Sequence, residues 1–149
     1  MNDAVHTHAF RVALHDTDAA GVLFFAHLFR HAHDAYEEFM AAIGWPLDAM
    51  IRDCELALPL VHAEADYRRP MSHGQQVQIA VSVADIADGR FSIDYRFTDT
   101  GGAMLASAST VHAAVDPDRS RPIALPPGLA AALRRRAKPE DDHRPDGQR

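Results

Sequence analysis

Cysteine is almost missing from this chain: Cys54 stands alone among 149 residues. No intramolecular disulfide can form, which suits a reducing compartment, and there are no paired C-x-x-C motifs to build a zinc site. Positive charge is also in short supply. The 15 Lys and Arg residues face 21 Asp and Glu, a formal net charge of -6. That argues against the broad basic surface that nucleic acid requires, while a few local arginines still suffice for a small anion. No apolar run approaches the roughly 20 residues needed to cross a bilayer. The opening stretch MNDAVHTHAFRV has neither the basic start nor the apolar h-region of a signal peptide. The expectation is a cytoplasmic protein with no nucleic-acid and no membrane partner. Three catalytic signatures are absent as well: the G-x-S-x-G elbow, the G-x-x-x-x-G-K-[ST] phosphate loop and the G-x-G-x-x-G fingerprint.

What is present is enough apolar material for one core. Hydrophobic residues make up 47 % of the chain, and its length fits one ordinary domain. HAFRVALH (8–15) alternates in part and reads as a first strand. From 24 to 43 the period changes. Leu28, Ala32, Ala35, Phe39 and Ile43 recur at steps of three and four, one face of a helix, while His27, Arg30, His31, Asp34, Glu37 and Glu38 fall largely elsewhere. Gly44 and Pro46 supply the stop. LDAMIRDCEL suggests a short second helix or an ordered loop. Four strand-like stretches come next, beginning near Leu56, Gln75, Arg90 and Ala103, with Asp88-Gly89 and Gly101-Gly102 at hairpin-like spacings. A strand, a long helix and then an antiparallel meander make an α+β pattern. A single domain over 1–136 and a charged, flexible tail over 137–149 are expected, with residues 128–136 as a last helix.

The stretch HDTDAAGVLFFAH (15–27) concentrates the chemistry. A helix N-terminus offers free backbone N–H groups and partial positive charge, which can hold an oxygen on which negative charge develops. A carboxylate just upstream can stand beside that spot. Gly21 has no Cβ and tolerates dihedrals that other residues avoid. Two readings fit. Asp16 and Asp18 can be a turn former and a cap, nothing more. Alternatively a carboxylate and an amide donor serve attack on an activated acyl group such as a thioester, whose thiolate leaves without a strong general acid.

The segment HDTDAAGVLFFAHLFRHAHDAYEEFM resembles the signature of the hot-dog fold thioesterases of the 4-hydroxybenzoyl-CoA thioesterase family: Asp-x-Asp, a small pair and Gly, then apolar and aromatic residues leading into a central helix. VHAEADYRRPMSHGQQVQIAVSV and RPIALPPGLAAAL are similar to that family's later segments, so the likeness runs over about 8–133. DTDAAGV, AHDAYEE and VHAEADYRRP lean toward the branch that includes 1,4-dihydroxy-2-naphthoyl-CoA hydrolases. The resemblance implies a long helix enclosed by a curved antiparallel sheet of about five strands. It implies acyl-CoA hydrolysis, with aromatic acyl groups favoured and no metal or organic cofactor, by a homo-oligomer that is a dimer at least and a tetramer by expectation. The catalytic carboxylate then corresponds to Asp18, the carbonyl-polarising amide to the N–H of Phe25, and Gly21 to the glycine beside the thioester. Family members often carry an aromatic hydroxyl or indole where this chain has Phe24 and Phe25, and an Asn where it has His27. A side-chain hydroxyl at 24 or 25 therefore has no part here.

Other residues invite weighing. Phe24 and His27 are expected to face the substrate. His27, His31 and Asp34 share a helix face, but Leu28 breaks H-E-x-x-H, and a metal site is not expected. Asp16 reads as a loop-bonding residue. Glu37 and Glu38 read as a solvated face, with a helix-borne catalytic acid as the alternative. Cys54 reads as a small buried hydrophobe. Arg68, Arg69 and Arg90 are the candidates for the CoA phosphates, since the guanidinium fork suits phosphate. Arg134, Arg135 and Arg136 sit where a helix C-terminus favours cations. A non-catalytic acyl-CoA or acyl-carrier binding module and a hot-dog hydratase or dehydratase are the competing functions.

Overall fold

A computed structural model describes residues 6–137. Five strands form one antiparallel sheet: β1 (His6–Arg11), β2 (Leu60–Tyr67), β3 (Gln76–Ile86), β4 (Arg90–Thr98) and β5 (Met104–Ala113). Their spatial order is β1-β3-β4-β5-β2. The long helix α1 (His27–Ala42) and a short α2 (Leu47–Asp53) lie between β1 and β2 in sequence. A minor two-stranded ladder, β6 (Val115–Asp116) with β7 (Arg121–Pro122), precedes α3 (Pro127–Arg135). The α+β expectation holds, with one difference. Only β3, β4 and β5 form a meander, whereas β2 lies beyond β5 on the far edge. The segment 68–75 must therefore travel from one edge of the sheet to β3 near the other.

The sheet buries alternate residues, as strand geometry requires. Val77, Ile79, Val81 and Val83 of β3, Phe91, Ile93, Tyr95 and Phe97 of β4, and Ala106, Ala108, Thr110 and His112 of β5 are buried. Against them α1 sets Leu28, Ala32, Ala35, Tyr36, Phe39 and Met40, all buried. Each large apolar side chain so removed from water contributes roughly 1.5–3 kcal/mol before entropy is counted. The apolar stripe read from sequence is thus the packed face, although Ile43 is only partly buried. His31, expected on the polar side, is buried too. α1 ends in a Schellman motif: Gly44 N–H donates to Ala41 O (3.1 Å), Trp45 N–H donates to Met40 O (2.9 Å), and Gly44 takes φ +90°. α2 buries none of its residues, and Cys54 behind it is exposed, contrary to the expectation of a buried hydrophobe. Of the expected tail only Ala137 is described, bridged in parallel to Val83. Among the described residues no helix is long and apolar enough to cross a membrane.

One buried polar chain crosses this core. The Tyr95 hydroxyl meets Thr110 Oγ1 (3.0 Å), and Thr110 Oγ1 meets His112 Nε2 (2.9 Å). The His112 ring is stacked with Tyr36 and with Phe91, at centroid distances of 4.3 and 5.2 Å. Burial pushes the His112 pKa down to about 4 from an ordinary 6.5. Between those values the unfolded chain binds more protons than the folded one. The stability tied to His112 is therefore intact above pH 6.5 and falls as the pH drops toward 4, at roughly 1.4 kcal/mol per pH unit and on the order of 3 kcal/mol in all. Urea unfolding followed from pH 7 to 4.5 should show this fall, and His112→Phe, which keeps the stacked ring, should flatten it. Equal acid sensitivity in both proteins would assign the effect to other groups.

Candidate active site

The residues between β1 and α1 fold into a tight hairpin. Thr17 and Leu23 form an antiparallel bridge, Phe24 N–H donates to Asp16 O (2.9 Å), and Asp18 N–H donates to Val22 O (2.9 Å). The turn at its tip spans Asp18–Gly21, closed by Gly21 N–H to Asp18 O (3.1 Å). Gly21 has φ +77°, and a Cβ there would meet nothing within 4 Å. Backbone conformation, not crowding, is thus what selects glycine at this position.

The crossover from β2 to β3 holds the hairpin. Leu23 N–H donates to Met71 O (2.8 Å), and His73 N–H donates to Gly21 O (2.9 Å). The same crossover is fixed to β5, where Arg68 and Arg69 N–H both donate to Leu105 O (2.9 and 3.0 Å), and to the end of β1, where Gly74 N–H donates to Val12 O (2.8 Å). The hairpin is therefore held by a crossover that is itself fixed to β5 and to the end of β1.

Asp16 and Asp18 have separate surroundings. Asp16 is 1 % exposed. Its Oδ2 accepts the Ala13 N–H (2.9 Å), while its Oδ1 pairs with Arg30 and with His31 Nε2 (3.1 Å). Burial alone would raise the Asp16 pKa. The Ala13 N–H, His31 and Arg30 together outweigh it and hold the carboxyl below its ordinary value. Burial drives the His31 pKa below its ordinary value despite the attraction of Asp16. The His31 ring is stacked on Phe10 at 3.7 Å, and Arg30 carries the charge that balances Asp16. The loop-bonding role expected of Asp16 is what the structure contains, with two partners on α1 that sequence spacing does not reveal.

Asp18 is exposed. Its Oδ1 accepts the N–H groups of Ala20 (2.8 Å) and Val22 (3.4 Å). Oδ2 has no hydrogen bond among the described residues, so one carboxylate oxygen is oriented by the turn and the other is free. Beyond the hairpin, Phe24 O accepts the His27 N–H (2.9 Å), and Phe25 O accepts the Leu28 N–H (3.3 Å) and the Tyr67 hydroxyl. The Phe25 N–H has no acceptor among the described residues. A free peptide donor at the mouth of α1 and a half-committed carboxylate thus lie on one short hairpin.

The other expected site residues divide. Phe24 and Phe25 are exposed apolar rings, 4.7 Å apart, and His27 stands edge-on to Phe24 at 5.6 Å as the first residue of α1. Arg68 and Arg69 line a cleft of about 330 Å³ with Val22, Leu23, Tyr67 and Met71, directly against the hairpin. Arg90 lies elsewhere in the chain. It opens β4 opposite Ala113, whereas Tyr67 pairs with Ala106, so the two are separated by about 23 Å of β5. Tyr67 has no counterpart among the residues singled out from sequence. Its one signal is position, immediately before Arg68-Arg69 at a strand end. Among the described residues no group of three His, Cys, Asp or Glu side chains is arranged to hold a metal. A second cleft of about 330 Å³, mostly apolar, lies between α1 and α2 and is lined by His33, Tyr36, Met50, Ile51, Cys54 and Leu58.

Asp16→Asn should destabilise the protein by about 2 kcal/mol in urea unfolding. It removes the charge that Arg30 answers, discounted because Arg30 is partly solvated. Unchanged stability would mean that the carboxylate charge does not hold the loop to α1.

Comparison with known proteins extends this picture. Residues 12–133 match the family described as the Thioesterase-like superfamily. A 1,4-dihydroxy-2-naphthoyl-CoA hydrolase of Rippkaea orientalis (strain PCC 8801 / RF-1) is 38 % identical over 119 residues, covering 78 % of this chain and 83 % of that one. A protein of the same description from Picosynechococcus sp. (strain ATCC 27264 / PCC 7002 / PR-6) is 34 % identical, covering 90 % and 97 %. Among solved structures, a 1,4-dihydroxy-2-naphthoyl-CoA thioesterase from Synechocystis superposes with a TM-score of 0.81 at 29 % identity, covering 87 % of this chain and 95 % of that one.

Proposed function

This chain belongs to the Thioesterase-like superfamily, and from that premise we propose that it hydrolyses an aromatic acyl-CoA thioester with Asp18 as the working carboxylate and the Phe25 N–H as the carbonyl-polarising donor. The observation that carries the reading is the pairing at the hairpin and its exit of a carboxylate with one free oxygen and a backbone N–H with no acceptor, both among the described residues. The relatives, hydrolases of an aromatic acyl-CoA by their names, supply the substrate class.

The chemistry is set by these parts. The thioester carbonyl oxygen approaches the Phe25 N–H, where the partial positive charge of the α1 N-terminus adds to the pull. Phe24 O is already committed to the His27 N–H, which polarises the 24–25 peptide and strengthens its remaining donor. Asp18 then either attacks the carbonyl carbon, giving an acyl anhydride that water opens, or takes a proton from a water that attacks instead. In both cases the C–S bond breaks, CoA leaves as thiolate, and the net reaction consumes one water. Phe24 and Phe25 form an apolar wall at the reacting centre. Arg68 and Arg69 suit the phosphates of the CoA moiety, a contact that gains from the fork geometry of arginine.

Two features favour a two-chain site. Among the described residues β2 is an outer strand with one edge free, and it exposes Leu60, Val61 and Tyr67. Antiparallel pairing of β2 with its copy covers that edge and brings the Leu60 end of one chain to the Tyr67 end of the other. The apolar cleft by Leu58 then faces the partner's hairpin, supplying the acyl pocket that the hairpin lacks within its own chain. The tetramer rests on the family resemblance alone, and a contact between Arg90 and CoA rests only on the fit of a guanidinium fork to phosphate.

A panel of aromatic and aliphatic acyl-CoA esters, read by release of free thiol, tests the assignment. Aromatic esters should be cleaved faster. Asp18→Asn should fold normally and lose between about 10² and about 10⁴ in kcat. Full turnover in that variant would reject Asp18, and binding of CoA esters without cleavage by the wild-type protein would make the chain a binding module.

Replacing Arg68 and Arg69 together with Ala should raise KM for the CoA ester about tenfold and leave kcat nearly unchanged, with the wild-type advantage shrinking as salt is added. An unaltered KM would remove these arginines from the CoA site.

A further inference from the structure

Three of the four backbone groups of residues 24 and 25 are committed. Phe24 N–H donates to Asp16 O, Phe24 O accepts from His27 N–H, and Phe25 O accepts from Leu28 N–H and from the Tyr67 hydroxyl. The fourth is the Phe25 N–H. Of these anchors, Asp16, His27 and Leu28 belong to the hairpin and the helix themselves. Tyr67 alone comes from the sheet, 42 residues away in sequence, at the last position of β2. The bond it supports is the weak one of the local set, since Leu28 N–H reaches Phe25 O only at 3.3 Å.

Residue 25 is also where the chain passes from hairpin to helix, so its backbone dihedrals decide where its N–H points. Fixing the carbonyl on one side of the residue and the Phe24 peptide on the other leaves the donor little freedom to turn away. Tyr67 is 48 % exposed. Burial of the remainder raises its pKa, so the hydroxyl keeps its proton and remains a donor. The ring forms part of the wall of the arginine-lined cleft.

We propose that Tyr67 is a positioning residue: by donating its hydroxyl to the Phe25 carbonyl it ties the helix-entry turn to the sheet and holds the Phe25 N–H on the thioester oxygen. The inference rests on the thioesterase reading above. It assigns the tyrosine no contact with the reacting atoms. An amide so held loses effect through misalignment, and small misplacements at a reacting centre cost large factors in rate.

Tyr67→Phe keeps the ring and removes the donor alone. Hydrogen–deuterium exchange of the wild-type and variant proteins, followed by peptide mass spectrometry, should be faster in the variant over residues 24–28 and equal over β3, β4 and β5. On the best aromatic CoA ester, kcat should fall by between about tenfold and about a hundredfold while KM stays put. Unchanged exchange over 24–28, an unchanged kcat, or a KM rise with kcat preserved would each overturn the proposal, the last by making Tyr67 a wall of the cleft only. Slower turnover with faster exchange throughout the sheet would also overturn it, in favour of a general loss of stability. Failure of the thioesterase reading has a different signature: wild-type protein that cleaves no CoA ester. In that case Tyr67 loses its catalytic purpose with it. A failure of the tyrosine proposal alone leaves an active wild type and an inactive Asp18→Asn.

Discussion

A carboxylate withdrawn from water holds the two halves of this site together. Asp16 sits between β1 and the hairpin, and each of its oxygens is engaged: Oδ2 by the Ala13 N–H, Oδ1 by Arg30 and His31 near the start of α1. A charge in such a place is costly unless it is paired and hydrogen-bonded, so the loop and the helix cannot separate without stranding a group that the fold buries only because it is paired. The main-chain oxygen of the same residue takes the Phe24 N–H. One residue thus fixes the helix to the loop through its side chain and closes the hairpin through its backbone. Asp18, two positions on, inherits a defined place relative to the helix entrance while remaining in solvent.

The second constraint is the route of the chain from β2 to β3. Because β2 occupies the far edge, the connecting segment has to pass across the end of the sheet, and it bonds to β5, to the hairpin and to the residue after β1 as it goes. Cationic and apolar surfaces meet there. Arg68 and Arg69 stand in the cleft against the hairpin, and Phe24 and Phe25 stand exposed at the helix entrance, a sequence of surfaces suited to a ligand that is anionic at one end and aromatic at the other.

Much of this is legible in the residues, and the rest fails for identifiable reasons. The buried stripe of α1 at Leu28, Ala32, Ala35 and Phe39 comes from helical spacing, and β3, β4 and β5 come from alternation with turns at Asp88-Gly89 and Gly101-Gly102. Gly21 stands out through the loop's chemistry and has the positive φ that favours glycine. The strand order is not readable, because alternation reveals which residues face the core and says nothing about which strand is the neighbour. His31 reads as polar surface, yet it is buried, because its cover, Phe10 and Asp16, comes from outside the helix. Cys54 reads as buried, yet it is exposed, at the C-terminus of a short helix none of whose own residues is buried. Tyr67 is marked only by its position before Arg68-Arg69 at a strand end, since its partner is 42 residues away. Arg90 shares a residue type with Arg68 and Arg69, and only topology separates them.

The crossover also bears on how the protein acquires its site. Its anchors join residues far apart in sequence: Val12 with Gly74, Gly21 with His73, and Arg68 with Leu105. Such links close long loops, and the entropic cost of doing so has to be met by the strands on either side. A nascent or partly collapsed chain, even one whose long helix has already formed, would lack the clamped entrance. The architecture therefore makes competence a property of the finished topology rather than of any fragment.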